Sequence, residues 1–388
     1  MESKRVRVLT IMSRLEMGGI EKTLLSCIPF FKKKGIDIHI LCTEGGSLDT
    51  NFIKQGVTII DFKGKNKPIL DAYYLRKVLK KNDYDIVHSR YGHTSGLFAK
   101  FCKKLRTPFL ISVHNEKAMF RPTWIGKPIL NFIRREYLKF HKKHSEKYSS
   151  KILGHSKANL KYFTPNYTDN TNLYKIIYNG VDFSKFQNSK PLEKQTQLDD
   201  FVSNSNKTFI HIGSFKHQKN HAFLLDVFNK LDPIENNYKL LLLGTGTLEN
   251  EIKEKAKELN IINNIYFTGV VTNIKPYLKV SDIFFFPSLY EGFGNVLIEA
   301  QYMKVSIFAS DIAPHYEAAY KKYHKYFYAP DDEKKALDKL RECILDIDSN
   351  KHLAIREEAF SFSKDFSIEN MVENLVNIYE SEINKSRN

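Results

Sequence analysis

Short apolar segments alternate with amphipathic segments of helical period along nearly the whole chain, and the alternation occurs in two separate series. In the first series the predicted strands are Arg5–Ile11, Ile36–Cys42, Val57–Asp61, Asp85–His88, Phe109–His114, Lys151–Gly154 and Lys175–Tyr178. In the second they are Thr208–Gly213, Tyr238–Gly244, Asn264–Gly269, Asp282–Pro287 and Val305–Ala309. Strands that alternate with helices form parallel sheets covered on both faces. The sequence therefore predicts an α/β protein with two doubly wound domains in tandem.

A polar stretch separates the two series. Residues 184–207 include SKPLEKQTQLDDFVSNSNK, a composition typical of a linker, and the 388-residue length exceeds what one core usually organises. We predict a first domain at 1–183, a linker at 184–207, a second domain at 208–366 and a C-terminal helix at 367–388 that packs back on the first domain. Ligands of doubly wound domains bind outside the carboxyl ends of the strands, so a cleft between the domains is expected.

Basic charge is concentrated in the first half of the chain. The chain carries 60 Lys and Arg against 44 Asp and Glu, and 34 of those basic residues lie in residues 1–180 with only 14 acidic ones. A basic half can attract nucleic acid, an anionic membrane or an acidic substrate. The 42% hydrophobic content excludes a disordered scaffold, and four scattered cysteines without a CxxC pair indicate a reduced, cytoplasmic chain.

Residues 121–151 combine many Lys and Arg residues with large apolar side chains. These are Trp124, Ile129, Leu130, Phe132, Ile133, Tyr137, Leu138 and Phe140. A basic amphipathic helix of this kind can lie in a membrane interface, and the same pattern also fits an outer helix that covers a sheet. No uncharged apolar window reaches 18 residues, so we expect at most peripheral contact with the inner face of the plasma membrane. The apolar run near the N-terminus is interpreted as a strand rather than a signal peptide.

The segment Ser281–Ala300, SDIFFFPSLYEGFGNVLIEA, places two glutamates around the predicted start of a helix. Glu291 lies in a glycine-containing loop, and Glu299 falls in the second turn of a helix that begins near Gly294. The free amides and positive dipole end of a helix N-terminus bind phosphate. The two carboxylates could bind hydroxyl groups on either side of a diphosphate. A nucleotide sugar has this layout, because its pyrophosphate lies between a sugar and a ribose. A solvated helix residue fits Glu299 less well, because its neighbours VLIEAQYM are mostly apolar.

The seven-residue separation of Glu291 and Glu299 resembles the Glu-x7-Glu motif of the retaining glycosyltransferases with the GT-B fold, in family four (glycosyl transferases group one). The resemblance extends over nearly the whole chain. Its further segments are GGIEK at 18–22, DIVH at 85–88, SVHN at 112–115, NGVD at 179–182, GSFKHQKN at 213–220, LLLGTG at 241–246 and FTG at 267–269. The resemblance implies two Rossmann-like domains, in agreement with the strand–helix alternation.

The resemblance also implies a nucleotide-sugar site in the second half of the chain. Glu299 would bind the ribose hydroxyls, Glu291 would hold hydroxyls of the transferred sugar, and Lys219 would pair with the diphosphate. A lysine placed there stabilises the charge that grows on the leaving phosphate. The nearby backbone positions are Gly213, Gly292, Phe293 and Gly294.

In the first half, the resemblance assigns Gly18 and Gly19 to a loop that faces the donor phosphate and the acceptor. Glycine at a strand–helix turn lets a ligand approach the backbone closely. His114 would contact the donor sugar near the reacting carbon. His88 is left out of the catalytic set, because Arg90 stands where the family often has a second histidine.

One departure from the family concerns the diphosphate. The family usually has an arginine directly after the glycine that is Gly213 here, and this chain has Ser214. A hydroxyl donates one hydrogen bond and cannot form a bidentate clamp. Either Lys216 compensates, or diphosphate binding is weaker, or the position is used differently.

No metal or other cofactor is expected, because a helix terminus and a lysine can neutralise the diphosphate. The Asp-x-Asp sequences at 83–85 and 346–348 are interpreted as incidental. The resemblance implies a front-face displacement in which the acceptor hydroxyl attacks from the leaving-group side. The protein would then act mainly by positioning and by stabilising charge.

The sequence thus predicts a cytoplasmic enzyme that moves a sugar, most simply from a UDP-sugar, to a glycan or lipid-diphosphate-linked acceptor in cell-surface polysaccharide synthesis. A nucleotide-sugar epimerase or hydrolase of the same fold is the alternative. A basic nucleic-acid-binding protein is disfavoured because no reading motif is present. A dinucleotide-dependent oxidoreductase is disfavoured because the first turn lacks GxGxxG.

Overall fold

The computed structural model describes residues 5–62, 68–90, 92–114, 128–165, 167–168, 171–187 and 195–387. The chain divides into two compact units. Unit 1 comprises Met1–Gly180 together with Ile368–Asn388, and unit 2 comprises Val181–Ser367.

Unit 1 is built on a parallel sheet with seven strands in the described ranges. Its elements in chain order are β1 (Val6–Arg14), α1 (Gly19–Lys33), β2 (Ile36–Thr43), α2 (Asp49–Lys54), β3 (Thr58–Asp61), α3 (Pro68–Lys81), β4 (Ile86–Ser89), α4 (Gly96–Lys104), β5 (Phe109–Val113), α5 (Pro128–Tyr148), β6 (Lys151–Gly154), α6 (Lys157–Phe163) and β7 (Tyr174–Ile176). The strand order is β3-β2-β1-β4-β5-β6-β7. The order reverses between β1 and β4, which creates the crevice where doubly wound sheets bind ligands.

Unit 2 repeats this plan on a parallel sheet of five described strands in the order β10-β9-β8-β11-β12. Its elements are α7 (Ser184–Gln187), α8 (Gln195–Val202), β8 (Lys207–Ile212), α9 (His221–Asn229), β9 (Tyr238–Leu243), α10 (Glu249–Glu258), β10 (Ile265–Gly269), α11 (Lys275–Lys279), β11 (Ile283–Phe286), α12 (Asn295–Tyr302), β12 (Ser306–Ala309), α13 (Ala313–Ala318), α14 (Glu333–Asp346) and α15 (Asn350–Ser363). The chain ends in α16 (Ile368–Arg387). All the strands predicted from the alternation are present in the two sheets.

The central strands are apolar because helices cover both faces of each sheet. All four residues of β11, IFFF, are buried, as are all five of β5, FLISV. Such continuous burial is typical of parallel strands and explains why their apolar runs are readable in the sequence.

The C-terminal helix α16 packs on unit 1, as predicted. Its buried Met371, Leu375 and Tyr379 join a core with residues of α1 and β2. The Tyr379 hydroxyl is 2.7 Å from His88 Nδ1. The last helix therefore completes the core of the first unit.

The predicted linker, residues 184–207, contains α7 and α8 and belongs to unit 2, which begins at Val181. Phe183 stacks on Tyr302 with ring centroids 4.0 Å apart, and Phe186 and Leu198 are buried. The boundary of unit 2 therefore precedes the predicted one, since these apolar side chains anchor a segment whose overall composition is polar.

Among the described residues, no helix combines the length and the apolar character needed to cross a bilayer. The four cysteines are buried and free.

Candidate active site

Two loops at the carboxyl ends of neighbouring strands β8 and β11 form the centre of the candidate site. After β8 a 3₁₀ turn covers His217–Lys219, and after β11 a loop leads to α12. The Leu289 amide donates to the carbonyl of Gln218 at 2.9 Å, and Gln218 Nε2 donates to the carbonyl of Tyr290 at 2.8 Å. These hydrogen bonds fix the two loops to each other.

The joined loops bring Lys219 and Glu291 into contact. Lys219 Nζ lies 2.5 Å from Glu291 Oε1, and the two side chains are 14% and 10% exposed. The same ammonium lies 4.6 Å from the ring centroid of Phe286 in β11. The residues predicted to hold the diphosphate and the sugar are therefore immediate neighbours.

Two glycines permit this arrangement. A Cβ on Gly213 would lie 3.1 Å from both Cδ and Cε of Lys219 and 3.0 Å from His211 Nε2. Gly294 has φ of 100° and directly precedes α12, where no side chain caps the first amides. Few L-residues adopt this backbone conformation, so glycine at 294 sets the direction of the helix N-terminus.

Glu299 lies in α12, which begins at Asn295 as the sequence predicted. It forms an ion pair with Lys185 of α7, and the Glu299 side chain is 12% exposed. Lys185 comes from the segment predicted as a linker, so the sequence analysis missed it. Its position three residues after the NGVD segment is the signal that could have found it.

Two buried histidines lie beside the ion pair. His315 Nδ1 is 2.9 Å from the carbonyl oxygen of Ser310, and its buried Nε2 has no hydrogen-bond partner among the described residues. Burial lowers the pKa of His315 to about 4, against the opposing effect of the Glu291 charge. Burial also lowers the pKa of His211 well below its usual value. Both imidazoles are thus neutral near pH 7, and nothing in the sequence pattern had marked them.

The remaining predicted positions of unit 2 lie in the same two loops. Phe293 is 2% exposed, and its ring centroid is 5.5 Å from that of Phe366. Gly292 and Ser214 are half-buried, and Lys216 is exposed. A small hydroxyl therefore occupies the position beside Gly213, and the Lys216 side chain extends into solvent.

Gly18, Gly19 and His114 belong to unit 1, at the carboxyl edge of its sheet. Gly18 precedes α1 and Gly19 begins it. The side chain of Glu21 covers Gly18, since a Cβ there would lie 2.2 Å from Glu21 Oε2. His114 follows β5 and stacks on His155 with ring centroids 4.0 Å apart.

Asp85 and Asp348, one from each Asp-x-Asp sequence, are engaged in structural contacts. Asp85 accepts a hydrogen bond from the Arg7 amide at 2.9 Å, and Asp348 pairs with Lys207 at 2.7 Å. Within the described ranges, no group of three or more His, Cys, Asp or Glu side chains is arranged to hold a metal ion. Independence from metals and other cofactors remains a prediction.

Comparison with known proteins supplies the family. The model of Glycosyltransferase Family 4 matches residues 17–185, and that of Glycosyl transferases group 1 matches residues 194–360. The capsular polysaccharide biosynthesis glycosyltransferase CapH of Staphylococcus aureus is 30% identical over 79% of this chain and 82% of its own length. The chain is a group 1 glycosyltransferase.

Two further proteins extend this comparison. The transferase is 27% identical, over 95% of its length and 96% of the other chain, to the Campylobacter jejuni GalNAc-alpha-(1->4)-GalNAc-alpha-(1->3)-diNAcBac-PP-undecaprenol alpha-1,4-N-acetyl-D-galactosaminyltransferase. The crystal structure of Anabaena HepE in complex with UDP matches with a TM-score of 0.79 at 17% identity, covering 97% of this chain and 100% of HepE. The structural match identifies the fold as GT-B.

Proposed function

We propose that this transferase is a retaining enzyme that moves a hexose or N-acetylhexosamine from a UDP-sugar to a hydroxyl of a glycan or lipid-diphosphate-linked acceptor. The product would enter a cell-surface polysaccharide such as a capsule, an exopolysaccharide, a lipopolysaccharide or a teichoic-type polymer. The observation that carries the proposal is the Lys219–Glu291 ion pair beside the uncapped N-terminus of α12.

The donor is assigned to unit 2. Lys219 and the first amides of α12 bind the diphosphate, and Glu291 accepts hydrogen bonds from the sugar next to it. When the donor binds, Glu299 gives up its ion pair with Lys185 and accepts hydrogen bonds from the ribose hydroxyls. Ser214 and the backbone at 213 and 292–294 complete the phosphate contacts. Family membership and the UDP bound by HepE support this assignment.

The proposed transfer step depends on stabilising the negative charge of the leaving diphosphate. The acceptor hydroxyl attacks the anomeric carbon, the bond to the diphosphate breaks, and the leaving phosphate takes the hydroxyl proton. Lys219 and the α12 dipole stabilise the negative charge that the diphosphate gains, so no metal is required. His114 and the loop at Gly18 and Gly19 are assigned contacts to the donor and acceptor near the reacting carbon.

Unit 1, which is assigned to the acceptor, contacts the cytoplasmic face of the membrane. On α5, Ile129 is 74% exposed, Phe132 54% and Ile133 57%, beside Arg134 and Arg135. On α3, Ile69, Leu70 and Tyr73 are also exposed. Apolar side chains flanked by basic ones bind anionic interfaces. Trp124 and the rest of 121–127 lie outside the described residues.

The test begins with the donor. Thermal shifts with UDP, GDP and ADP should show stabilisation by UDP, because a ligand at 100 times its dissociation constant stabilises the protein by about 2.7 kcal/mol. Incubation with UDP-sugars and a lipid-diphosphate-linked acceptor should then yield an extended glycan with retained anomeric configuration. Sugar conversion without acceptor would instead identify an epimerase or hydrolase.

A further inference from the structure

Arg90 is a buried cation for which the described residues supply no counter-ion. Arg90 follows β4 and is 7% exposed, and its Nε is buried with no hydrogen-bond partner. Among the described residues, no carboxylate forms an ion pair with it. Arginine does not lose its proton in proteins, and an unpaired buried charge is unfavourable. Within the described part of the chain, this strong anion-binding group is thus unused.

The surroundings of Arg90 lie where a ligand can reach them. The Arg90 amide donates to the carbonyl of Ile11 in β1 at 2.9 Å, and β4, which ends at Ser89, pairs in parallel with β5, which ends one residue before His114. Arg90 and His114 therefore follow neighbouring strands at the carboxyl edge of the unit 1 sheet. This edge is where doubly wound domains bind their ligands.

The neighbouring groups do not neutralise Arg90. The Glu21 carboxylate lies over Gly18 instead of against the guanidinium, and burial raises the pKa of Glu21. Burial lowers the pKa of His155 to about 3, and that of His114 falls well below its usual value, so both are neutral. His88 is already engaged by Tyr379 and Ser112.

His114 adds an unused polar atom to the same place. Its Nε2 is buried and has no partner in the part of the chain that the structure describes. A neutral imidazole can donate one hydrogen bond from this nitrogen. A planar guanidinium with an adjacent N–H donor suits an oxyanion that accepts several hydrogen bonds, above all a phosphate group.

We propose that Arg90, with His114 beside it, forms a second anion-binding site of the enzyme, which holds a phosphate group of the acceptor. The inference rests on the proposed function, in which Lys219 and α12 already serve the donor diphosphate and the acceptor carries its own. A cation at this position would distinguish phosphorylated acceptors from neutral ones.

The kinetic experiment compares two acceptors in the wild type, Arg90→Gln and Arg90→Lys. One acceptor is lipid-diphosphate-linked, and the other carries the same glycan on a neutral alkyl group. Arg90→Gln should raise KM for the diphosphate acceptor by about ten- to a hundredfold, the value of a charged hydrogen bond, and leave KM for donor and neutral acceptor unchanged. Arg90→Lys should give a KM for the diphosphate acceptor between those of the wild type and Arg90→Gln. Equal effects on both acceptors, or a raised donor KM, would overturn the proposal.

A binding experiment tests the same site without turnover. Inorganic pyrophosphate should raise the melting temperature of Lys219→Met, which lacks the proposed donor cation but keeps the α12 amides, and this shift should be clearly smaller in Lys219→Met/Arg90→Gln. Equal shifts in the two variants would refute the Arg90 site. If no UDP-sugar is turned over but the Arg90-dependent shift is present, the proposed function fails and the anion site stands. Arg90→Gln should not lower the melting temperature without ligand, since the arginine side chain has no partner among the described residues; a marked loss would indicate a structural role and contradict the inference.

Discussion

Lys219 and Glu291 are 72 positions apart in the sequence, yet Nζ and Oε1 lie 2.5 Å apart in a place where each side chain is at least four-fifths buried. The contact joins the loop after β8 to the loop after β11, next to the start of α12. Because the two charges neutralise each other, a diphosphate that bound Lys219 as proposed would compete with Glu291. Glu291 would then be released towards the hydroxyls of the attached sugar. Under this proposal, the pair would couple recognition of phosphate to recognition of sugar.

The first prediction separates these two roles. Lys219→Met should weaken UDP binding and lower kcat/KM for transfer by about a hundred- to a thousandfold, because it removes a cation from the developing phosphate charge. Glu291→Gln should retain UDP binding and lose transfer. Calorimetry with UDP and initial rates with a UDP-sugar measure the two effects.

Lys230→Met is the matched control, since it removes a lysine from the exposed Lys230–Glu333 ion pair. Exposed pairs contribute about 0–1 kcal/mol, so UDP binding and turnover should be unchanged. Normal transfer by Lys219→Met or by Glu291→Gln would reject the assigned roles.

The second prediction concerns Glu299 and its partner Lys185. If Glu299 binds the ribose, Glu299→Gln should reduce the preference for UDP over 2′-deoxy-UDP by about tenfold or more, the value of a charged hydrogen bond. Lys185→Gln removes the same ion pair but leaves the carboxylate in place. It should therefore retain the ribose preference. Identical behaviour of the two variants would show that Glu299 serves only as an ion-pair partner.

The third prediction tests the two glycines of unit 2. Gly213→Ala should displace Lys219, because the added Cβ would lie 3.1 Å from its side-chain carbons, and should lower UDP affinity. Gly294→Ala should destabilise the protein by about 1–2 kcal/mol, because its φ of 100° is unfavourable for alanine. Urea denaturation measures the second effect. The stability control is Gly19→Ala, where no atom lies within 4 Å of the new Cβ; a loss of stability there as large as in Gly294→Ala would contradict the strain argument.

Much of the fold could be predicted from the sequence because buried parallel strands are apolar throughout. Strands such as β5 and β11 therefore stand out between polar turns, and the start of α12 is marked by the glycines before it. The Lys185–Glu299 pair could not be predicted in this way, since it joins residues 114 positions apart across a segment of linker-like composition. The same holds for His315, whose position beside Glu291 depends on packing between distant loops rather than on any local pattern.

The fourth prediction tests membrane contact through α5. Charge reversal at Arg134, Arg135, Lys142 and Lys143 should abolish cosedimentation with vesicles rich in phosphatidylglycerol, because each basic residue near an anionic surface contributes about 1 kcal/mol. Serine at Ile129, Phe132 and Ile133 should have the same effect through loss of apolar insertion.

Lys334→Glu/Lys335→Glu, on the exposed start of α14 in unit 2, changes charge without touching the α5 surface. This control should sediment with vesicles like the wild type. Unchanged vesicle binding by both α5 variants would exclude this helix as the membrane contact.

The fifth prediction follows from the buried neutral histidines. Burial lowers the pKa of His221, His315 and His352 to about 4, whereas in the unfolded chain a histidine titrates near 6.5. Between these values the unfolded state binds more protons than the native state. Stability is therefore fully present above about pH 6.5 and falls as the pH drops towards 4, by up to about 1.4 kcal/mol per pH unit for each such histidine.

His352→Gln isolates one of these groups away from the candidate site. His352 Nε2 lies 2.8 Å from Ser306 Oγ, so the variant should be less stable at pH 7, yet its stability should fall less steeply between pH 6.5 and 5. The two slopes of unfolding free energy against pH should differ by an amount that corresponds to nearly one bound proton, as measured by urea denaturation at several pH values. His217→Gln provides the comparison, because solvent contacts the exposed His217 in the folded as well as the unfolded state. Parallel stability curves for His352→Gln and the wild type would mean that protonation of His352 does not drive acid unfolding, and the acid sensitivity would then have to come from the other buried imidazoles.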